Sequence, residues 1–113
     1  MPIRRKTTPE DKAEAKKIRE SEVEKYLKDR CVAVGGRAMK WTGGNGVPDR
    51  IVIVNDCVVF VELKRPYATP RADQLAQHAK IRRAGGTVYV VDRFEQVDEL
   101  LDKLTAKKGH KGL

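Results

Sequence analysis

The stretch GVPDRIVIVNDCVVFVELK, residues 46–64, decides the fold because it contains two apolar runs separated by a short polar break. The runs are Arg50–Val54 and Cys57–Leu63, and Asn55-Asp56 lies between them. Their β-branched content and the two-residue break predict two antiparallel strands joined as a hairpin. Because the apolarity is nearly continuous, we expect both faces of these strands to be covered.

Acidic side chains stand at matching ends of the two predicted strands. Asp49 starts one strand, and Glu62 lies thirteen residues later, near the end of the other. In a hairpin these ends lie side by side, with the carboxylates about 5 Å apart, which is close enough to hold one divalent cation. Glu62 and Lys64 point to the same face, while Leu63 points into the core and its backbone carbonyl can also face the metal.

The residue types at this position fit phosphodiester hydrolysis. An otherwise apolar strand gives no structural reason to bury two charges, whereas a metal ion and a phosphate do. A Mg²⁺ ion held by Asp49 and Glu62 would neutralise a phosphate oxygen and lower the pKa of bound water, and Lys64 would stabilise the developing charge. An all-oxygen ligand set suits Mg²⁺ or Mn²⁺ rather than zinc. The structural alternatives are a strand cap at Asp49 and an exposed Glu62–Lys64 ion pair.

Helices and two more strands are predicted around the hairpin. Apolar residues at helical spacing predict a helix over 10–34, ended by Gly35-Gly36. Two later helices are predicted over 71–84 and near the C-terminus, packing through Ala72, Leu75, Ala76 and Ala79 and through Val97, Leu100, Leu101 and Leu104. Short strands are predicted at 38–41 and 87–91. This order predicts an α/β fold with a sheet between helices.

The composition allows one domain, residues 10–105, between a flexible basic arm at 1–9 and a disordered basic tail at 106–113. No stretch reaches the roughly 20 apolar residues that cross a membrane, and the N-terminus lacks the apolar segment of a signal peptide. We therefore expect a soluble, cytoplasmic protein. Cys31 and Cys57 fit neither a disulfide framework nor a zinc site, and we predict that both are buried.

The net charge of +8 is distributed unevenly along the chain. Residues 87–105 hold two basic and five acidic side chains, a net −3, so the rest of the chain carries +11. This predicts a face that binds a polyanion and an acidic helix turned away from it. The candidate nucleic-acid contacts are Lys40, Gly43, Gly44, Arg65 and Arg71. Trp41 either stacks on a base or packs in the core.

The motifs Gly-Val-Pro-Asp-Arg at 46–50 and Val-Glu-Leu-Lys at 61–64, followed by Gln74, resemble the VRR-NUC branch of the PD-(D/E)xK nuclease superfamily. The resemblance runs over about 20–92 and is strongest to the short stand-alone members from phages and prophages. It implies a restriction-endonuclease-like core, a central mixed sheet flanked by helices in the order α-β-β-β-α-β-α. It also implies a Mg²⁺- or Mn²⁺-dependent DNA endonuclease that is structure-specific for branched DNA such as a Holliday junction and acts as a homodimer.

The resemblance also implies roles for individual residues. It assigns Asp49 and Glu62 to metal binding, Lys64 to catalysis, and Gln74 to the catalytic glutamine of the following helix. His78, by contrast, suggests neither a metal site nor a proton relay.

The family has a further glutamate on its first helix, and two residues of this chain suit that position. Glu20 and Glu24 lie four apart on one helical face, and we favour Glu24 because Tyr26 and Leu27 follow it.

Two other functions stay open: a non-catalytic DNA-binding module, and an accessory nuclease subunit that is active only with a partner. For the homodimer, the contact surface would be the first helix or the final strand and helix.

Overall fold

The computed structural model describes residues 8–106, and a four-stranded mixed sheet lies at its centre. The elements follow in the order α1 (Pro9–Ala15), α2 (Glu20–Ala33), β1 (Arg37–Lys40), β2 (Arg50–Val54), β3 (Cys57–Leu63), α3 (Ala72–Arg83), β4 (Val88–Val91) and α4 (Phe94–Ala106). Strands β1, β2 and β3 are antiparallel neighbours, and β4 lies parallel to β3 at the edge. The predicted mixed sheet flanked by helices is confirmed.

Strands β2 and β3 form the predicted hairpin, with Val54 facing Cys57 across a two-residue turn. Asn55 and Asp56 have φ angles of +54° and +65°, as in a type I′ turn, whose twist matches that of the two strands. The side-chain amide of Asn55 also donates to the carbonyl of Leu104 at 3.0 Å, which ties the turn to α4. The turn therefore fixes the register of the hairpin.

The main core lies between one face of the sheet and helices α2 and α4. Alternate residues of each strand point to this face, and in β3 they include Val59, Val61 and Leu63. The helices contribute Val23, Leu27, Cys31, Val97, Leu100, Leu101 and Leu104. Both cysteines are buried, as predicted, and burial raises the pKa of the Cys31 thiol to about 11. The thiol is therefore protonated and unreactive near neutral pH.

The opposite face of the sheet is covered less completely than predicted. Helix α3 packs against β4 and the end of β3, while Met39, Ile53 and Val58 stay 38, 37 and 56% exposed. The expectation that both faces of the hairpin are covered is wrong for this region. One helix is about 10 Å wide, whereas the outer strands of a four-stranded sheet are about 14 Å apart.

The packing predicted for α3 is also wrong. Three of the residues expected to face the sheet are exposed: Ala72, Leu75 and Ala76. The buried residues of this helix are instead Gln74 and His78, which are 7% and 0% exposed. Polar side chains occupy the buried side because their partner is a carboxylate, Glu62, at the end of β3.

The helix predicted over 10–34 is divided into α1 and α2. Arg19 interrupts it with an extended backbone, at φ −87° and ψ 156°, and its N–H donates to the carboxylate of Glu22 at 2.7 Å to begin α2. The bend coincides with Ile18, which packs against the core. Helical periodicity in the sequence does not reveal this tertiary contact.

Most of the predicted arm and tail, residues 1–7 and 107–113, lies outside the described residues. Thr8 and Pro9, predicted in the arm, instead begin α1, where the Thr8 hydroxyl accepts from the N–H of Asp11 at 3.0 Å. Ala106, predicted in the tail, is the last residue of α4. Within residues 8–106, no helix has the length and apolarity needed to cross a membrane.

Candidate active site

Asp49 and Glu62 lie opposite each other where β2 begins and β3 ends. Arg50 faces Val61 in the hairpin register, so the next position brings Asp49 opposite Glu62. The Asp49 carboxylate accepts from the N–H of Leu63 at 2.7 Å. The N–H and C=O of one strand residue point to the same side, so the Leu63 carbonyl is also directed toward Asp49. The structure thus brings both carboxylates and the Leu63 backbone to one strand end.

Glu62 is only 1% exposed, and both of its carboxylate oxygens have polar neighbours. Oε2 accepts from Nε2 of Gln74 at 2.9 Å and lies 3.5 Å from Nζ of Lys64, while Oε1 lies 3.3 Å from Nε2 of His78. Burial and the negative charge of Asp49 raise the pKa of Glu62 to about 7, against the lowering effect of Lys64. The ammonium group of Lys64 therefore offsets the burial of Glu62 and its repulsion by Asp49 only in part.

The oxygen atoms at this strand end fit a hard divalent cation. Within residues 8–106, no group of three or more His, Cys, Asp or Glu side chains is arranged to hold a metal ion. Mg²⁺, however, is usually bound through one or two carboxylates and keeps several waters. Asp49, Glu62 and the Leu63 carbonyl supply such a set, and a cation would relieve the repulsion that raises the pKa of Glu62.

Gln74 connects the start of α3 to Glu62. Its Oε1 accepts from the N–H of Arg71, the residue before the helix, at 2.9 Å, and its Nε2 donates to Glu62. Because the amide oxygen is used by Arg71, the NH₂ group is the part that faces the carboxylate. Gln74 is therefore a buried link between a helix start and a strand end, rather than a surface amide.

His78 is the residue at this site that sequence reasoning missed. Its ring is 0% exposed and touches Glu62 through Nε2. Burial, followed by the positive charges of Arg82 and Lys64, lowers the pKa of His78, so the ring is neutral near pH 7. One feature of the sequence does indicate this placement: His78 lies four residues after Gln74, so both side chains are on the same side of a helix.

The loop after Lys64 is held by contacts around Tyr67. Lys64 is 11% exposed in its side chain, and its N–H donates to the Val91 carbonyl at 3.0 Å, which continues the ladder with β4. Tyr67 has a φ of +64°, and its N–H donates to buried Asp92 at 2.6 Å. The guanidinium of Arg93 lies 4.6 Å from the centre of the Tyr67 ring. These contacts restrict the backbone that follows Lys64.

The two candidate helix glutamates have different surroundings. Glu24 forms an ion pair with Arg50, at 2.9 Å from Nε and 2.8 Å from Nη2, and Arg50 also donates to the Ala38 carbonyl at 3.0 Å. Glu20 lies at the start of α2. Partial burial and the negative charges of Asp49 and Glu24 raise the pKa of Glu20, against the lowering effect of Lys64. The charge of Glu20 thus interacts with those of Asp49 and Lys64 in the candidate site.

The predicted nucleic-acid contacts are exposed: Lys40, Gly43, Gly44, Arg65 and Arg71. Lys40 is the last residue of β1 and Arg65 lies two residues after the end of β3, both at the same end of the sheet as Asp49. The guanidinium of Arg71 pairs with Asp73, with Nε 3.1 Å from Oδ1. A phosphate at Arg71 would therefore compete with a carboxylate that is already present.

Trp41 is half-buried, packs against Phe60 and lies close to Gly43. Its ring centroid lies 5.1 Å from that of Phe60, and a Cβ atom added to Gly43 would lie 2.3 Å from its indole nitrogen. These contacts favour packing within the protein over base stacking for Trp41, which lies outside the main core. They also show that Gly43 is needed for close packing of the loop, in addition to any contact with a phosphate.

Comparison with known proteins finds a sequence relative and a structural relative, and this chain covers most of the length of each. No family model matches the chain. A protein named "Putative nuclease p44", from Acyrthosiphon pisum secondary endosymbiont phage 1, is 41% identical over 78 residues, which is 66% of this chain and 84% of the relative. A solved structure described as "VRR_NUC domain" has a TM-score of 0.65 and 38% identity, over 74% of this chain and 94% of that chain.

Proposed function

Because this chain belongs to the VRR-NUC family, we propose that it is a Mg²⁺- or Mn²⁺-dependent DNA endonuclease that hydrolyses phosphodiester bonds. The observation that carries the proposal is the carboxylate pair Asp49 and Glu62 at one strand end, with Nζ of Lys64 3.5 Å from Glu62. A module that only bound DNA would gain nothing from holding a half-buried carboxylate, Asp49, beside a buried one, Glu62, since the two repel each other and also repel phosphate.

Each residue of the site has a proposed role. Asp49, Glu62 and the Leu63 carbonyl would hold the cation, which when bound would neutralise charge on the scissile phosphate and acidify an attacking water. Lys64 presents an ammonium group beside Glu62, and we assign it to the charge that develops on the phosphate. Gln74 acts through Glu62, so we propose it as a positioning residue.

We propose Glu20, rather than Glu24, as the helix glutamate of the site. The carboxylate of Glu24 is held by two nitrogens of Arg50, the first residue of β2, so it is already paired with a cationic side chain. The charge of Glu20 interacts with that of Asp49, which supports a position near the proposed cation. The preference for Glu24 drawn from the neighbouring Tyr26 and Leu27 finds no support in its contacts.

The proposed substrate is duplex or branched DNA, including a Holliday junction, and the proposed assembly is a homodimer. Both follow from the resemblance to the family. Each chain has one candidate site, so cutting both strands of a substrate is simplest with two copies related by a two-fold axis. Exposed Lys40 and Arg65 lie at the same end of the sheet as the site and would contact the DNA backbone.

The test is cleavage of a branched DNA by the purified protein with Mn²⁺. We expect native protein to nick the DNA, and we expect Asp49→Asn and Lys64→Ala to lose at least about 100-fold in rate, since each removes charge stabilisation at the reacting phosphate. Asp29→Asn is a matched control, because Asp29 is exposed on α2 and pairs only locally with Lys25. It should cleave like native protein.

Three results would change the proposal. Equal cleavage by native protein and both site variants would show that the site is elsewhere. Tight DNA binding without cleavage, in Mg²⁺ and in Mn²⁺, would support the DNA-binding module. Cleavage that appears only after a purified partner subunit is added would support the accessory subunit.

A further inference from the structure

We propose that His78 is a positioning residue that holds the carboxylate of Glu62 in the orientation that binds the cation. The inference rests on the cation-dependent function proposed above and adds a residue to it. Neither the family motif nor the sequence pattern had given His78 a role. The structure places it against the carboxylate on which the site depends.

The two oxygens of Glu62 are held by different donors from the same helix. Gln74 lies 2.9 Å from Oε2, and His78, one helical turn later, lies 3.3 Å from Oε1. Both donors are buried, at 7% and 0% exposure, so water does not compete for these bonds. With a donor on each oxygen, rotation of the carboxylate about its last bond is restricted. Binding a cation then costs less side-chain entropy.

The unpartnered nitrogen of His78 argues that the ring is more than packing. Nδ1 is buried and has no hydrogen-bond partner among the residues that the structure describes. An apolar side chain of similar size would fill the space without burying a bare polar atom. Since an ionised carboxylate only accepts hydrogen bonds, the proton of the neutral ring belongs on Nε2, where it meets Oε1 of Glu62.

A neutral donor suits this position because the cation needs the negative charge of Glu62. Lys64 also contacts Glu62, but its ammonium group offsets that charge. A neutral imidazole N–H orients the carboxylate of Glu62 without offsetting its negative charge. Partners that orient a metal ligand in this way typically contribute 10- to 100-fold to metal affinity or activity.

The first test measures Mn²⁺ binding to the protein without DNA, by electron paramagnetic resonance of free Mn²⁺, for His78→Gln and His78→Asn. Glutamine places its amide nitrogen near the position of Nε2, whereas asparagine places it near Nδ1, too far from Glu62 to donate. We expect the Asn variant to bind Mn²⁺ about 10- to 100-fold more weakly and the Gln variant to recover most of that loss. Leu75→Ala, on the exposed side of the same helix, is the control and should match native protein.

The second test uses only metal-free native protein. Nitrogen-15 NMR of the His78 ring at about pH 9, where Glu62 is ionised, should show the proton on Nε2 and none on Nδ1. This measurement reports on His78 even where the Asn variant does not fold. A proton on Nδ1 would overturn the proposal.

The binding results separate this inference from the proposed function. Equal Mn²⁺ affinity in native protein and the Asn variant, or equal losses in the Asn and Gln variants with both folded, would overturn the role of His78 alone. Native protein that binds Mn²⁺ but cuts no DNA would overturn the nuclease and leave the role of His78 standing. Native protein that binds neither Mn²⁺ nor Mg²⁺ would overturn both.

Discussion

In the metal-free protein, Glu62 should make folding less favourable as the pH rises, and Glu62→Gln should remove this effect. Burial and Asp49 raise the pKa of Glu62 from its ordinary 4.5 to about 7. Between these values the folded protein keeps a proton that the unfolded chain has released, so stability is full below about pH 4.5 and falls as the pH rises through 7. A pKa difference of this size corresponds to about 3 kcal/mol. Glutamine resembles the protonated acid and carries no such cost.

The assay is urea unfolding of both proteins in EDTA, at pH values from about 5 to 8. We expect the Gln variant to gain about 2–3 kcal/mol over native protein between the two ends of this range, because other titrating groups are common to both and cancel. Added Mn²⁺ should stabilise native protein at pH 8 and leave the variant unchanged. A difference between the two proteins that stays constant with pH would refute the electrostatic reasoning. Mn²⁺ stabilisation of the variant equal to that of native protein would refute Glu62 as a ligand.

Substitutions at four further positions test other parts of the structure. Asn55→Ala should lower the free energy of unfolding by about 1–2 kcal/mol in urea, since alanine disfavours a φ of +54° and loses the bond to α4, while Asn55→Gly should restore part of it. Gly43→Ala should displace the indole of Trp41, seen as a shift in its fluorescence, because the new Cβ would lie 2.3 Å from the ring nitrogen; an unchanged spectrum would contradict this packing. Lys40→Ala and Arg65→Ala should each reduce the slope of log affinity for DNA against log salt by about 1, and an unchanged slope would remove that residue from the DNA interface.

The hairpin could be predicted from sequence because its determinants are local. A two-residue polar break between β-branched runs specifies both the turn and the pairing of the strands, and the structure has Val54 facing Cys57 as the break requires. Once the pairing is known, the proximity of Asp49 and Glu62 follows from counting residues. The central part of the candidate site therefore needed no tertiary information.

The environment of the helix glutamates could not be predicted in this way. Glu20 and Glu24 share one face of α2, and periodicity treats them as equivalent. They differ because Arg50, in a different element, binds one of them. The choice depends on how α2 lies across the sheet, which helical periodicity does not specify.

The buried side of α3 was predicted wrongly for a related reason. Leu75 and its apolar neighbours gave an ordinary amphipathic pattern, yet Leu75 is 52% exposed while Gln74 and His78 are buried. Hydrophobicity predicts the buried side of a helix only where the surface beneath it is apolar. Here that surface contains Glu62, so side chains that donate hydrogen bonds are buried there instead of apolar side chains.

The short turn at Asn55 and Asp56 makes the candidate site sensitive to the number of residues between Asp49 and Glu62. Side chains alternate sides along a strand, so deleting one residue of β3 ahead of Glu62 would turn Glu62 toward the apolar core and Leu63 toward the candidate site. Adding one residue to each strand would lengthen the ribbon and keep Asp49 opposite its partner. Natural variation in this segment should therefore occur as paired insertions, and unpaired ones should mark copies of the gene that no longer cut.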